Sequence, residues 1–305
     1  MIKNFFEVND LIADKLQSNE PFSVLRIDNT ATYVINCLTK GERPVHQFYN
    51  ENTMIEGGVI PSNLDYAFSV VYPKTLEVMK SCDILGFVDV SNQTRNDQPF
   101  LNLFPDKPLF FDVEAVDPGG LTGRSVFGKL DNPWTKYLKG KKVLVISSHA
   151  NTIKEQWKKI DQIWGDEREL IAPFELVDCI KTPFHPAVDD RQYPDCHSFE
   201  DLIQRTKDII DTYEYDVLLS GVTTQSPFYA EHAKERGNVG IQTGGIVQLF
   251  FGIIGKRWEI NYKAYYPNGS NMFNEHWTYP LKIDEPQKIN DIRHLETSYA
   301  YWSGQ

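Results

Sequence analysis

Three segments of the chain run from a short apolar stretch into a turn of small polar residues and then into a helix-like stretch. They are residues 142–152, 217–224 and 240–248. This repeat is typical of a parallel sheet in which a helix follows each strand, so that the turns line one edge of the sheet. Helix starts at that edge present unpaired backbone N–H groups, which favour phosphorylated ligands. The pattern therefore predicts a phosphate-binding site at the carboxyl edge of the sheet.

The three turns supply the residues that could contact such a ligand. Glycine lets the backbone approach a phosphate, and threonine hydroxyls add hydrogen-bond donors. No turn matches GxGxxG or the P-loop pattern, so the prediction depends on the three turns lying side by side. The candidate binding residues are Ser148, Asn151, Gly221, Thr223, Thr224, Gly244, Gly245 and Gln248.

His149 follows the first of these apolar stretches, and Asn151 or Thr152 is expected to cap the helix after it. Histidine titrates near neutral pH, so His149 at a strand end can bind a ligand or serve as general base or acid. The alternative is a capping turn in which the imidazole is only hydrogen-bonded in place.

Two pairs of charged residues in the first half are further candidates for chemistry. Arg26 and Asp28 end the first predicted strand, where they either serve a ligand or pair with each other. Asp112 and Glu114 form a DxE pair, which strand alternation places on one face. Such carboxylates can hold Mg²⁺ or Mn²⁺ against a diphosphate, with solvated surface acids as the alternative. Asp28 and Glu114 are also candidate general bases beside His149.

The last third of the chain adds basic and aromatic candidates. Arg257 can contact a phosphate through two parallel hydrogen bonds, and Trp258 can stack on a base or sugar. Cationic capping of the preceding helix is the alternative for Arg257. His276 lies between an acid and an aromatic residue and is a further binding candidate. No HExxH pattern accompanies it, so no zinc site is predicted.

Composition limits the kinds of partner. The chain has 305 residues, 24% of them charged, and a net charge of −11, which lacks the basic footprint of a general nucleic-acid-binding protein. Its longest apolar run, residues 246–254, is about half a membrane span, and no signal peptide is recognisable. We expect a cytoplasmic protein with no transmembrane segment and no nucleic-acid partner. The sequence is compatible with a homo-oligomer.

The order of predicted elements favours an α/β fold with a Rossmann-like, mostly parallel sheet flanked by helices. An N-terminal part, residues 1–130, precedes a nucleotide-binding part, residues 131–305, and the two can form one continuous domain. Strands are predicted at residues 21–28, 83–89, 142–147, 175–181, 216–220 and 239–242. Helices are predicted from a cap at Asn29–Thr30 through Leu38 and at residues 73–80, 151–164, 198–213, 227–236 and 245–254. The aromatic tail is expected to fold back over the sheet.

Four segments carry a resemblance to a known family: residues 132–146, 151–156, 244–258 and 274–277. They resemble a family with a GT-D-like glycosyltransferase fold that is associated with polysaccharide biosynthesis, and the similarity spans roughly residues 20–280. The resemblance implies a Rossmann-like sheet that binds a nucleoside-diphosphate sugar, usually UDP-linked and often with Mn²⁺ or Mg²⁺. It also implies a glycan or a lipid-linked molecule as the acceptor.

The chain departs from that family at the turn after the first strand. The family has an Arg-x-Gly-Asp-Gly-Glu-like turn, whereas the chain keeps Arg26 but lacks both glycines and has Ala31 in place of the final Glu. The predicted function is sugar transfer from a nucleoside-diphosphate donor, UDP-sugar first, to an acceptor hydroxyl. The alternatives are a non-catalytic nucleotide- or sugar-binding subunit of a glycan assembly complex, and another phosphate-handling α/β enzyme.

Overall fold

Eight strands form one sheet at the centre of the protein. The computed structural model describes residues 2–3, 5–44, 54, 58–88, 97–112, 132–183, 195–255 and 273–285. The strands within these ranges are β1 (Ile2–Lys3), β2 (Phe22–Ile27), β3 (Ile84–Val88), β4 (Leu109–Asp112), β5 (Lys142–Ser147), β6 (Glu175–Lys181), β7 (Val217–Ser220) and β8 (Val239–Gln242). Their order across the sheet is β1-β4-β3-β2-β8-β7-β5-β6, and every neighbouring pair is parallel.

Helices connect the strands on both faces of the sheet. In chain order they are α1 (Phe5–Ser18), α2 (Asn29–Thr39), α3 (Leu64–Tyr66), α4 (Tyr72–Ser81), α5 (Gln98–Leu101), α6 (Ala150–Trp157), α7 (Ile160–Trp164), α8 (Phe199–Ile210), α9 (Ser226–Glu235) and α10 (Val247–Phe250). A π-helical turn joins α3 to α4, and 3₁₀ turns lie at Trp134–Leu138, Gly165–Leu170, Thr223–Gln225 and Gly244–Ile246. Over the described ranges, none of the helices is long and apolar enough to cross a bilayer.

Helices cover both faces of the central strands, so the alternating side chains of one strand enter two different cores. In β5, Val143 and Val145 belong to one hydrophobic core, whereas Leu144 and Ile146 belong to the other. A run of apolar residues with few polar interruptions is the pattern expected for such a strand. The α/β class and the parallel sheet predicted from the sequence are confirmed.

The sheet joins the two halves of the sequence. β2 from the first half pairs with β8 from the second half, with Val24 opposite Ile241. Strands from both sides of residue 130 therefore share one sheet and its two cores.

Two predicted helices are wrong in length. The helix predicted at residues 151–164 is two helices, α6 and α7. The helix predicted at residues 245–254 is a 3₁₀ turn followed by the four residues of α10. Gly252, just after α10, has a φ of +66°, and a Cβ there would lie 2.6 Å from Ile163 Cγ2. Close packing against α7 thus needs glycine in a left-handed conformation, which ends the helix.

The sequence did not predict α1. Its buried residues Val8, Ile12 and Leu16 recur every four positions and join the hydrophobic core. Asn9 Oδ1 accepts the backbone N–H of Trp134 at 2.8 Å, across a sequence separation of 125 residues. The four-residue spacing is a local helix signal, whereas the contact with Trp134 is a distant one that no local pattern reveals.

Candidate functional site

The carboxyl ends of four neighbouring strands meet at one edge of the sheet. β2, β8, β7 and β5 lie side by side, and a polar turn follows each of them. The helices that follow β2 and β7 pack into one core, and those that follow β5 and β8 pack into the other. Neighbouring connections thus leave toward opposite faces, and such points open a crevice at the carboxyl edge of a parallel sheet. The candidate site lies at this edge.

The structure brings Arg26 to the turn that follows β8. Arg26 is 6% exposed, and its backbone N–H donates to Gln242 Oε1 at 3.0 Å. Gly244 has a φ of +63°, and a Cβ there would lie 3.0 Å from Nη1 of Arg26. The glycine therefore supplies both the left-handed backbone and the room for the guanidinium. A buried cation beside a turn of small residues is an arrangement that suits an anionic ligand.

The turn after β7 packs directly on the turn after β8. A Cβ on Gly221 would lie 2.3 Å from Val247 Cγ1 and 2.7 Å from Gly244 O, so glycine permits this approach. Thr223 has a φ of +28°, which is uncommon for a residue other than glycine. Its buried Oγ1 has no hydrogen-bond partner within the described ranges. Backbone strain and unsatisfied polar atoms of this kind cluster at functional sites.

The remaining turn candidates lie at the same edge of the sheet, beside the turns that follow β7 and β8. Ser148 and Thr224 are each 3% exposed, and Gln248 of α10 is 1% exposed. Gly245 is in the 3₁₀ turn that precedes α10. The three predicted turns are thus neighbours in space, with their polar residues mostly buried.

Several buried polar residues of this edge were not predicted. Gln225 accepts a hydrogen bond from Thr182 Oγ1 at 2.8 Å and donates to the carbonyl of Pro183 at 3.0 Å, which ties the turn after β7 to the end of β6. Thr243 Oγ1 donates to the carbonyl of Ser220 at 3.1 Å. Thr182 directly follows β6 and Thr243 directly follows β8, and this position after a predicted strand is a sequence signal that could have found them.

His149 is buried at the N-cap position of α6. It is 4% exposed, and burial lowers the pKa of its imidazole to about 4, with Asp284 and a hydrogen bond to Gln248 opposing the shift and Lys181 adding to it. The imidazole is therefore neutral at pH 7. A side chain buried to this extent reaches an acceptor hydroxyl only if neighbouring segments move.

The start of α6, where an anion was predicted to bind, holds a carboxylate of the chain itself. Asp284 Oδ1 accepts from Asn151 Nδ2 at 2.8 Å, and Asp284 Oδ2 accepts from the N–H and hydroxyl of Thr152 at 2.7 and 2.6 Å. Contrary to the prediction, Asn151 and Thr152 do not cap α6 but lie inside its first turn. Asp284 was not predicted, because its partners lie 132 and 133 residues earlier and no local motif marks it.

The carboxylate candidates of the first half are placed in part. Asp28 caps α2, since its Oδ1 accepts the N–H of Ala31 at 2.8 Å. Asp112 is the last residue of β4, which β3 separates from β2. Glu114 lies outside the described residues. Within the described ranges, no three His, Cys, Asp or Glu side chains are grouped so that they could hold a metal ion.

Of the basic and aromatic candidates in the last third of the chain, only His276 lies within the described residues, and the contacts described for it are not with the turns after β7 and β8. The imidazole of His276 lies 3.7 Å from the Glu275 carboxylate, and the His276 carbonyl accepts from Gln156 near the end of α6 that is remote from Asn151. Arg257 and Trp258 lie outside the described residues.

Comparisons of the chain with protein-family models, curated proteins and solved structures find no match.

Proposed function

We propose that the chain is a glycosyltransferase that binds a nucleoside-diphosphate sugar, UDP-linked in the first instance, at the carboxyl edge of its sheet. The observation that carries this proposal is the position of Arg26, a buried cation held against Gly244 where β2 and β8 end. A guanidinium can bind a phosphate through two parallel hydrogen bonds, and it is more weakly hydrated than an ammonium. It is therefore the cation best suited to meet a diphosphate in a buried site.

The turns around Arg26 suit the diphosphate of such a donor. Gly221 and Gly244 carry no side chain at the point where two turns approach each other, and Thr223 offers a buried hydroxyl. The resemblance to the GT-D-like family supports the same class of donor. The acceptor in this proposal is a hydroxyl of a glycan or a lipid-linked molecule, and the reaction takes place in the cytoplasm.

Asp28 is the general base that we propose for the acceptor hydroxyl. It follows β2 two residues after Arg26 and is only partly buried, so an acceptor can reach it. His149 and Glu114 are the alternatives, of which His149 is buried. Asp112 and Glu114 are the carboxylates proposed to hold Mn²⁺ or Mg²⁺.

A thermal-shift screen against UDP, GDP, dTDP, ADP and CMP, each with and without Mn²⁺, tests the proposal. A ligand at about 100 times its Kd stabilises the folded chain by roughly 2.7 kcal/mol, which raises the Tm by a few degrees. We expect UDP to give the largest shift and a UDP-sugar to be consumed when acceptor is present. The absence of a shift with every nucleotide contradicts the proposal.

A non-catalytic nucleotide-binding subunit is the second candidate. Two observations favour it: Asp28 is engaged in capping α2, and His149 is 4% exposed. Ala31 also stands where the family has a glutamate. UDP binding without turnover of any UDP-sugar, over a set of glycan acceptors, selects this second candidate.

A further inference from the structure

Residues 273–285, here called the strap, pack against α6, α7 and the segment that follows α10. At the start of the strap, Asn274 Nδ2 donates to the carbonyls of Gln162 and Ile163 at 3.2 and 3.1 Å. Trp277 is 7% exposed, and its ring packs edge-on against Trp164 with the ring centroids 5.9 Å apart. This end of the strap is thus anchored in the hydrophobic core.

The middle of the strap is held through its backbone. The N–H of Ile254 donates to the carbonyl of Thr278 at 2.7 Å, and the N–H of Thr278 donates to the carbonyl of Gly252 at 3.0 Å. Gln156 Nε2 of α6 also donates to the carbonyls of Gly252 and His276, at 3.0 and 2.9 Å. One side chain of α6 therefore joins the strap to the segment after α10.

The far end of the strap is held by polar contacts at the start of α6. The Asp284 carboxylate is fully buried and accepts hydrogen bonds from Asn151 and Thr152, and Lys181 Nζ lies 3.5 Å from its Oδ1. Thr152 Oγ1 in turn accepts the N–H of Leu281 at 2.9 Å. Carboxylates are favoured at helix starts, where they meet unpaired N–H groups and the positive end of the helix dipole.

The two ends of the strap differ in how much apolar surface is uncovered when they detach from the protein. Trp277 is in the core, whereas Leu281 and Ile283 are 38% and 62% exposed although the strap is in place. Opening at the Asp284 end therefore uncovers little apolar surface. Segments with few buried apolar contacts are the ones that open locally below the free energy of global unfolding.

We propose that the strap opens at its Asp284 end as a local unit, that Asp284 is the clasp that keeps it closed, and that opening exposes His149 and the start of α6. The clasp binds the first turn of α6, and His149 is the residue just before that helix. The strap thus controls access to the β5 corner of the carboxyl edge. Only the identity of the ligand admitted there rests on the proposed function.

Diethyl pyrocarbonate labelling of the full chain at pH 7, read per histidine by mass spectrometry, tests the strap. The reagent acylates neutral imidazole, so the rate at His149 reports its accessibility. We expect slow labelling in the wild type and labelling at least about tenfold faster in Asp284→Asn, since loss of a charge-assisted hydrogen bond changes an opening equilibrium by about that factor. Equal rates in the two proteins overturn the proposal.

Asp65→Asn is the matched control, because it makes the same change in charge at a side chain that is 80% exposed. We expect it to label His149 at the wild-type rate. Lys181→Met removes the cation beside the clasp together with the hydrogen bond from Lys181 Nζ to the carbonyl of Ile283 at 2.9 Å, and we expect an intermediate rate. Hydrogen exchange of β7 and β8 amides must stay at wild-type values in each variant; faster exchange there together with faster labelling means global unfolding and overturns the local-opening proposal.

A titration with UDP separates the strap from the proposed function. Tighter UDP binding by Asp284→Asn than by Asp65→Asn supports both. If labelling of His149 increases and UDP binds neither variant nor the wild type, the strap stands and the proposed function fails. If UDP binds all three equally and labelling is unchanged, the strap fails and the proposed function stands.

Discussion

The two ends of β2 bury charge in different ways. At the amino end, the Glu231 carboxylate accepts from Ser23 Oγ at 2.5 Å and lies 3.2 Å from Lys234 Nζ, which also pairs with Asp83 at 3.1 Å. These partners come from β2, α9 and the residue before β3, so the network ties regular elements together. At the carboxyl end, Arg26 lies against Gly244, whose turn packs on the turn of Gly221. The network at the amino end holds β2, α9 and β3 together, whereas the glycine turns at the carboxyl end let another backbone or a ligand come close to Arg26.

Replacing Glu231 should have the largest effect on stability. We expect Glu231→Ala to lower the free energy of unfolding by about 3 kcal/mol, because it leaves the buried Ser23 hydroxyl without its acceptor and removes one of the two carboxylates that pair with Lys234. Urea denaturation measures the loss. Glu235→Ala on the same helix is the control, since that side chain is 62% exposed and should change stability by less than about 0.5 kcal/mol. UDP affinity should not change in either variant, and a loss of affinity in folded Glu231→Ala would show that the two ends are not separate.

Gly221→Ala should act on both stability and binding. Its Cβ would overlap Val247 Cγ1 and Gly244 O, so we expect a loss of about 2 kcal/mol in the free energy of unfolding and weaker UDP binding. Gly237→Ala is the control: Gly237 has a φ of +84° but no atom within 4 Å of an added Cβ. That control should lose stability through its backbone alone and keep its affinity for UDP. If Gly221→Ala binds UDP with wild-type affinity, the two packed turns are not part of the binding site.

The burial of His149 predicts a pH dependence of stability. The unfolded imidazole takes up a proton near its usual pKa of about 6.5, whereas the folded one has a pKa of about 4. Above about pH 6.5 the neutral imidazole therefore makes its full contribution to the free energy of unfolding, and that contribution is lost as the pH falls toward 4. Between pH 7 and pH 5.5 we expect the wild type to lose about 1 kcal/mol more than His149→Gln in urea denaturation. The same loss in both proteins would mean that His149 is not held neutral.

The sequence predicts the strands better than the helices, for a physical reason. β5 and β8 begin and end where predicted, because strands buried on both faces are nearly continuous apolar runs. The bounds of the edge strand β6 are also as predicted. α1 carries an amphipathic spacing of Val8, Ile12 and Leu16, and it was not predicted although that local signal is present. The end of α10 depends on Gly252 packing against α7, a tertiary contact that overrides local preference.

The residues of the candidate site also fall into those that local sequence predicts and those that depend on distant contacts. Gly221, Gly244 and Arg26 could be found because each lies within two residues of the end of an apolar strand, and parallel topology brings strand ends together. Asp284 could not be found, since its role exists only through partners far away in the sequence. For the same reason, the burial of His149 does not follow from its place at the end of a strand.

Calorimetric titration of UDP into the wild type, Arg26→Gln and Arg43→Gln tests the central claim most directly. Arg43 is the matched control because it is 79% exposed and pairs with an exposed carboxylate. We expect Arg43→Gln to bind UDP as the wild type does, and Arg26→Gln to bind at least about tenfold more weakly, since hydrogen bonds to a charged partner are worth about 1.5–3 kcal/mol. Equal affinity in Arg26→Gln and the wild type would contradict a diphosphate site at the carboxyl end of β2.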